Sequence, residues 1–578
     1  MLRNFSHLFT ILILVTTSFT TSASDILNCV IDKYSQPNNP SMGLPNPAEQ
    51  GDYKYNIIHY GEQPFFIAIS KPDIISPNIN LPDFLSDYSR NQEYKYDAYH
   101  RFSSSNLPLN AKVWLPQGTQ PLPLVLLVHG NSAPGFNYLG ELLASRGHIV
   151  VQVDQTYLNG LRGENGARGW ILLEHLKLLR KWNAEQGHTF FNKINFANIA
   201  LIGMSRGGEA VALAASFNQL KTIPNSNEPT EFGFNIKSVV ALAPMDGQYQ
   251  HAEGRNTLKN VNYLILQGGH DADVYQFLGN QQWQRAHFDD GKDYLKQSIY
   301  IYRANHINFN QNMSDDFHWG RSKNFYAKLL SPQQQEQITK VFVSAFLEAT
   351  LAGKKEYRRT LSHPVINEYD LPKDIYVTRY MSSDFKVLRD FQGSPQEGDT
   401  FKVLTDKTLT THPFNIVSER LRGGTNTPNK VLKIDLKSQT ETRLSFKLPN
   451  TEFLTNKKEK RFLSLAIARV DAGENQNCSS YNLLTDTRIE IVNNMGVVLN
   501  KQLSPQASIS PLLISDFSEL ENSDVKFAPT EPTMQTITLP IQFNKKINEE
   551  DNLALNIIFT PKHDVSIMLD DIGVTSSP

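Results

Sequence analysis

Cysteine is nearly absent from this chain. Two cysteines in 578 residues exclude a disulfide-stapled scaffold and a cysteine-built metal cluster. Cys29 and Cys478 permit one bridge between the N-terminal region and the C-terminal half, and the sequence leaves open whether they pair. Neither sits beside a histidine as the nucleophile of a thiol enzyme would. Charge of one sign is missing too: 56 basic against 58 acidic residues give a formal net charge of −2, with no long basic run. That balance offers no electrostatic footprint for nucleic acid. No apolar run reaches membrane-spanning length. Tryptophan is scarce: all five (Trp114, Trp170, Trp182, Trp283 and Trp319) precede residue 320, so the C-terminal half lacks the best aromatic platforms for sugars.

What is present begins with an export-signal pattern over residues 1–24. Arg3 supplies the positive end, Leu8 to Val15 the apolar core, and Thr21-Ser22-Ala23 or Ser22-Ala23-Ser24 the small residues of a cleavage site. The expectation is an exported protein, periplasmic or extracellular, with no transmembrane segment in the mature chain. A chain of this length is too long for one core, so several domains are expected. Residues 25–94 are polar and mixed, and read as an N-terminal extension.

Residues 95–353 read as one domain, in which the stretch from about 110 to 353 alternates between strand and helix patterns. Ala111 to Leu115, Ile149 to Val153, Val239 to Ala243, Tyr263 to Leu266 and Ile299 to Tyr302 read as strands. Leu122 to Val128 is continuously apolar, as a strand covered on both faces is. Tyr138 to Arg146, Ala167 to Trp182 and Pro332 to Gly353 read as helices. Such β-α units predict an α/β fold with a mainly parallel sheet. Residues 354–380 read as a linker. Residues 381–578 carry short strand patterns in series and predict an all-β sandwich of jelly-roll type.

The densest chemical signal is Gly203-Met204-Ser205-Arg206-Gly207, directly behind the apolar run Ile199 to Ile202 and ahead of a helix-forming stretch from Glu209 to Ala215. Glycines on both sides of a serine allow a sharp strand-to-helix turn that exposes its hydroxyl. A serine nucleophile needs a base and a group to orient that base. The loop after Tyr263 to Leu266 supplies Asp271, with Asp273 as the second candidate acid. Asp246, after the preceding strand, is a further rival. His306, in the small-residue loop after Ile299 to Tyr302, is the candidate base; His287 and His318 are rivals that follow no strand. Oxyanion donors are expected from the backbone N–H groups of Arg206 and of Asn131, in the loop His129-Gly130-Asn131. Tyr157 to Gly169, rich in Gly and Arg (Arg162, Arg168), reads as a solvated loop, with contact to an anionic acyl group as the alternative.

Taken in order, the strand before His129-Gly130, the Ser205 motif, Asp271 and His306 resemble the α/β-hydrolase superfamily, nearest its dienelactone-hydrolase-like and polyester-hydrolase-like esterases. The resemblance covers about residues 95–353. It implies an α/β-hydrolase fold and cleavage of carboxylic esters through an acyl-enzyme on Ser205, without metal or organic cofactor. Met204 departs from the histidine common at that place. The C-terminal part is similar to galactose-binding-like modules through Ser566 to Ile572, where Asp570 and Asp571 are candidate calcium ligands or solvated acids. The expected partner is a small or polymer-borne ester, with glycan or protein contact through the C-terminal part. Acyl transfer or peptide cleavage by the same triad, and a non-catalytic glycan- or protein-binding role on the same scaffold, are the alternatives.

Overall fold

The computed structural model describes residues 31, 43–62, 71–85, 105–161, 163–249, 255–313, 329–365, 368–448, 460–470, 487–503, 509–510, 512, 530–543 and 552–576. The expected signal over 1–24, both cysteines, Arg162 and His318 lie outside them.

Ten strands form one large sheet: β1 (Tyr55–Gly61), β2 (Ile74–Ile75), β3 (Asn110–Pro116), β4 (Leu122–Val128), β5 (Ile149–Asp154), β6 (Ile194–Met204), β7 (Ile236–Leu242), β8 (Asn262–Gly268), β9 (Leu295–Ile301) and β10 (Tyr376–Ser382). In space they run β10-β9-β8-β7-β6-β4-β5-β3-β1-β2. From β9 across to β5 every pairing is parallel. The flanking pairs β9–β10, β5–β3 and β3–β1 are antiparallel.

The unbroken apolar run of β4 follows from its place between β5 and β6, with a core on each face. Leu124, Leu126 and Val128 enter the core shared with helices α2 (Asn165–Ala184) and α3 (Arg206–Phe217). Val125 and Leu127 enter the opposite core, shared with α1 (Asn137–Ser145) and α5 (Pro332–Thr350). Between α3 and α5 in the chain lies the short α4 (Gly279–Arg285), and α6 (Arg358–Ser362) follows α5. The start of α5 is written locally: Ser331 accepts from Gln334 N at 3.2 Å, Gln334 returns the bond, and Pro332 takes the first helical position. Helices α2 and α3 approach closely at Gly169, where a Cβ would stand 2.8 Å from the Ala210 carbonyl oxygen.

The remaining strands are β11 (Lys386–Arg389), β12 (Thr400–Thr405), β13 (Thr408–His412), β14 (Ile416–Arg420), β15 (Asn426–Leu436), β16 (Thr442–Lys447), β17 (Phe462–Arg469), β18 (Arg488–Asn493), β19 (Gly496–Gln502), β20 (Gln535–Pro540), β21 (Ala554–Phe559) and β22 (Val565–Thr575). They form two six-stranded sheets, β14-β15-β22-β17-β20 with β11 on β22, and β13-β12-β16-β21-β18-β19. Both contribute to one apolar core, which includes Ile434, Phe446, Ile467, Ile491, Ile557 and Leu569.

This architecture corrects the expected fold class. Strand makes up 37% and helix 21% of the described residues, which form a mainly β, α+β arrangement and not an α/β-hydrolase fold with an appended sandwich. Parallel pairing with its crossover helices is largely confined to the β5–β9 block. The large sheet turns antiparallel on both flanks, and every pairing in the two C-terminal sheets is antiparallel. The alternating pattern of residues 110–353 describes one block and does not extend to the chain.

Residues 354–380, expected as a linker, hold α6 and most of β10, which belongs to the large sheet. There Arg379 reaches the C-terminal sheets. Its Nη2 donates to Asp570 Oδ2 at 3.1 Å and Asp571 Oδ2 at 2.7 Å, and its guanidinium lies over the Trp283 ring at 4.2 Å. The acid pair considered for calcium is thus occupied by an arginine of the neighbouring sheet. Burial, with Asp571 alongside, pushes the Asp570 carboxyl above its usual range, and Arg379 opposes the shift. Replacing Arg379 with Met strands Asp570 and Glu419 as buried acids. A stability loss of about 3–5 kcal/mol in urea unfolding is expected. Lys433→Ala, which removes only a solvent-exposed pair with Asp435, should leave the midpoint unchanged.

Candidate active site

Ser205, Asp271 and His306 stand at the same edge of the large sheet, beyond the C-terminal ends of parallel strands β6, β8 and β9. Ser205 is 6% exposed and is held at φ 57°, ψ −122°, a conformation costly for any residue with a Cβ. Its neighbours make the turn feasible. A Cβ on Gly203 would meet the Gly207 carbonyl oxygen at 2.0 Å, and one on Gly207 would meet the His129 oxygen at 2.6 Å. The turn is anchored by Ser205 N donating to Leu242 O at 2.9 Å and by Met245 N donating to Ser205 O at 3.1 Å.

Asp271 and His306 form a buried pair, with His306 Nδ1 2.8 Å from Asp271 Oδ2. The other carboxylate oxygen accepts from Val274 N at 2.7 Å and Asp273 N at 3.0 Å, and Gln267 Nε2 reaches Oδ2 at 3.2 Å. Burial raises the Asp271 pKa, and the adjacent His306 opposes that rise. His306 is fixed from behind: Gln335 of α5 bonds both the Asn305 N–H and its carbonyl, at 3.1 and 2.9 Å. Asp273 also approaches the ring, with Oδ2 3.4 Å from Nε2, but its side chain is 42% exposed.

The loop after β4 closes over the serine. A Cβ on Gly130 would lie 3.1 Å from Ser205 Oγ. The buried His129 ring accepts from Gln155 N at Nε2 (2.9 Å), so its proton resides on Nδ1, which donates to Gly130 O at 2.9 Å. Burial lowers the His129 pKa, and Asp154 opposes that shift. Holding the Gly130 carbonyl fixes the direction of the Asn131 N–H, which points the opposite way across the trans peptide. The loop beyond His306 locks onto the same segment, with Asn310 Nδ2 donating to Ala133 O at 2.8 Å and Gln311 N to Gly135 O at 2.9 Å.

Among its described residues, the stretch from Tyr157 to Gly169 is not a solvated loop. Arg168 is fully buried and donates to Glu164 Oε1 at 3.2 Å and Asn159 Oδ1 at 2.9 Å. Glu164 Oε1 also accepts from Arg206 Nη1 at 2.7 Å, and Gly160 N donates to Asn131 Oδ1 at 2.7 Å. The segment therefore braces both residues chosen as oxyanion donors. Asp246 is engaged elsewhere, by Arg285 and Arg255, and His287 bonds back to its own neighbourhood at Arg285 O. The supporting residues Gln267, Gln335, Glu164 and Asn310 escaped the sequence reading. Each is an ordinary polar residue whose partner is distant in the chain or within an irregular loop.

No family model matches the chain, and no curated protein is significantly similar to it. Among the described residues, no helix is long and apolar enough to cross a membrane.

His270, next to Asp271, is fully buried with Nδ1 2.7 Å from Tyr302 O, and burial lowers its pKa to about 4. Its unfolded value lies near 6.5, so its stabilisation is complete above that pH and is lost as pH falls from 6.5 to about 4. At pH 5 the loss amounts to about 2 kcal/mol. Urea unfolding near pH 7.5 and pH 5 should show a smaller acid-side loss for His270→Gln than for the unaltered chain. Equal slopes would count against it.

Proposed function

We propose that this protein is a serine hydrolase that cleaves carboxylic esters through an acyl-enzyme on Ser205. The observation that carries the reading is the buried 2.8 Å pair of His306 Nδ1 and Asp271, at the same sheet edge as a serine held at positive φ behind a glycine-lined turn. The resemblance to hydrolase-superfamily esterases that supports this reading lies in these residues and not in fold class.

In this mechanism Asp271 accepts from Nδ1 and keeps the other ring nitrogen, Nε2, available as base. Nε2 takes the Ser205 proton as Oγ attacks the ester carbonyl. The N–H groups of Asn131 and Arg206 receive the oxyanion; the first has its direction set by His129 and the second opens α3. His306 then protonates the leaving alcohol, and water repeats the cycle on the acyl-enzyme. Negative charge on Asp271 stabilises the imidazolium formed at each step. Export to the periplasm or medium is part of the proposal, supported by Arg3 and the apolar run Leu8 to Val15.

Ser205→Ala should abolish hydrolysis of p-nitrophenyl esters and labelling by a fluorophosphonate, with the unfolding midpoint retained; wild-type turnover in this variant would refute the assignment. The two candidate acids separate cleanly. Asp271→Asn should lower kcat about 10⁴-fold, because the amide favours the wrong imidazole tautomer. Asp273→Asn should change kcat by less than about tenfold, its carboxylate being partly solvated.

A further inference from the structure

The loop that carries Asp271 is bonded on two sides, and only one side belongs to its own sheet. There, Gly269 N donates to Ile301 O at 2.8 Å and His270 N to Ala304 O at 2.9 Å. On the other side its partners come from connections of the C-terminal part, Arg422 from the turn between β14 and β15 and Glu531 from the segment ahead of β20. Arg422, 1% exposed, donates from Nη2 to Gly269 O at 3.1 Å and to Tyr300 Oη at 2.9 Å. Glu531, 2% exposed, accepts from Phe277 N at 2.7 Å and from Arg422 N at 3.2 Å. Gln276 Nε2 closes the clamp onto Arg422 O at 2.6 Å and Thr425 Oγ1 at 2.9 Å.

These contacts bracket Asp271, with Gly269 two residues before it and Gln276 and Phe277 five and six residues after. The groups that make them are costly to bury. A guanidinium and a carboxylate withdrawn from water need compensation: the Arg422 guanidinium spends its hydrogen bonds on Gly269 O of the acid loop and on the Tyr300 hydroxyl of β9, and the Glu531 carboxylate on the N–H groups of Phe277 and Arg422. The Glu531 carboxylate also lies 3.7 Å from Arg422 Nη2, so the two charges offset one another across the clamp.

We infer that the C-terminal part of the chain is a working part of the active site, with Arg422 and Glu531, from connections of the β14-β15-β22-β17-β20 sheet, as positioning residues that hold the Asp271 loop, and through it the His306 ring, in register for proton transfer. This rests on the serine-hydrolase reading. Neither residue touches a reacting atom. Their effect passes through the Asp271–His306 bond, whose geometry tolerates little displacement: a misplacement of about 1 Å at such a group costs on the order of 10²-fold in rate.

The test uses the full chain and p-nitrophenyl butyrate, with kcat, KM and fluorophosphonate labelling rate measured beside the thermal midpoint. Arg422→Ala should lower kcat about 10- to 100-fold with KM within about twofold, and labelling should slow in parallel. Arg422→Lys, which keeps a cationic donor in reach of Gly269 O, should recover part of that loss. A purely structural role would lower active-enzyme yield while leaving kcat per labelled site unchanged, and that result overturns the inference. If Arg422→Ala does not fold, Gln276→Ala decides: it removes two cross-segment bonds and buries no charge. A kcat decrease of about three- to tenfold at constant KM supports the inference, and an unchanged kcat overturns it. Absence of turnover and label in the unaltered chain overturns the Ser205 reading itself. Normal turnover there with a normal Arg422→Ala overturns this inference alone.

Discussion

A single backbone conformation organises the site. At Ser205 the chain turns from β6 into α3 with φ 57°, and a residue with a Cβ pays on the order of 1–3 kcal/mol to stay there. The surrounding close contacts hold it in place. Gly203, Gly207 and Gly130 allow strand, helix and the loop after β4 to meet at distances no side chain permits. Everything else at this edge of the sheet is arranged around that meeting point: the His129 ring orients the loop peptide, Glu164 holds Arg206, and Asn310 ties the histidine loop to the same segment.

Much of this was legible because it is local. The bounds of β4 follow from seven apolar residues and a turn on either side, and the start of α5 from Ser331, Pro332 and Gln334. Asp271 and His306 were legible as positions after strands, since parallel strands present their C-terminal ends to one edge. Fold class was not legible in the same way. It depends on how much antiparallel sheet surrounds the parallel block, and strands such as β13, Thr408–His412, are exposed along their whole length and carry no alternation to betray them. The role of Arg168 was misread for a related reason: a charged residue in a glycine-rich stretch looks solvated until its partners, Glu164 and Asn159, are seen to fold back over it.

The junction between the large sheet and the C-terminal sheets is unusual in what it buries. Arg379, Asp570, Glu419, Arg422 and Glu531 are all nearly inaccessible. Ion pairs of this kind contribute little net stability relative to apolar packing, yet breaking one is severe. They give directionality: an apolar face can slide, whereas Arg379 between Asp570 and Asp571 admits one arrangement.

Phe277 N finds its acceptor 254 residues further along the chain. The loop that carries Asp271 cannot make this bond until the segment of Glu531 has come into place against it. Contacts of such sequence separation form late, because the entropy of closing the intervening chain is spent before they are gained. The acid of the site is thus backed from the far end of the chain: Ser205, Asp271 and His306 all lie within its first 306 residues, while the acceptor that steadies their loop is residue 531.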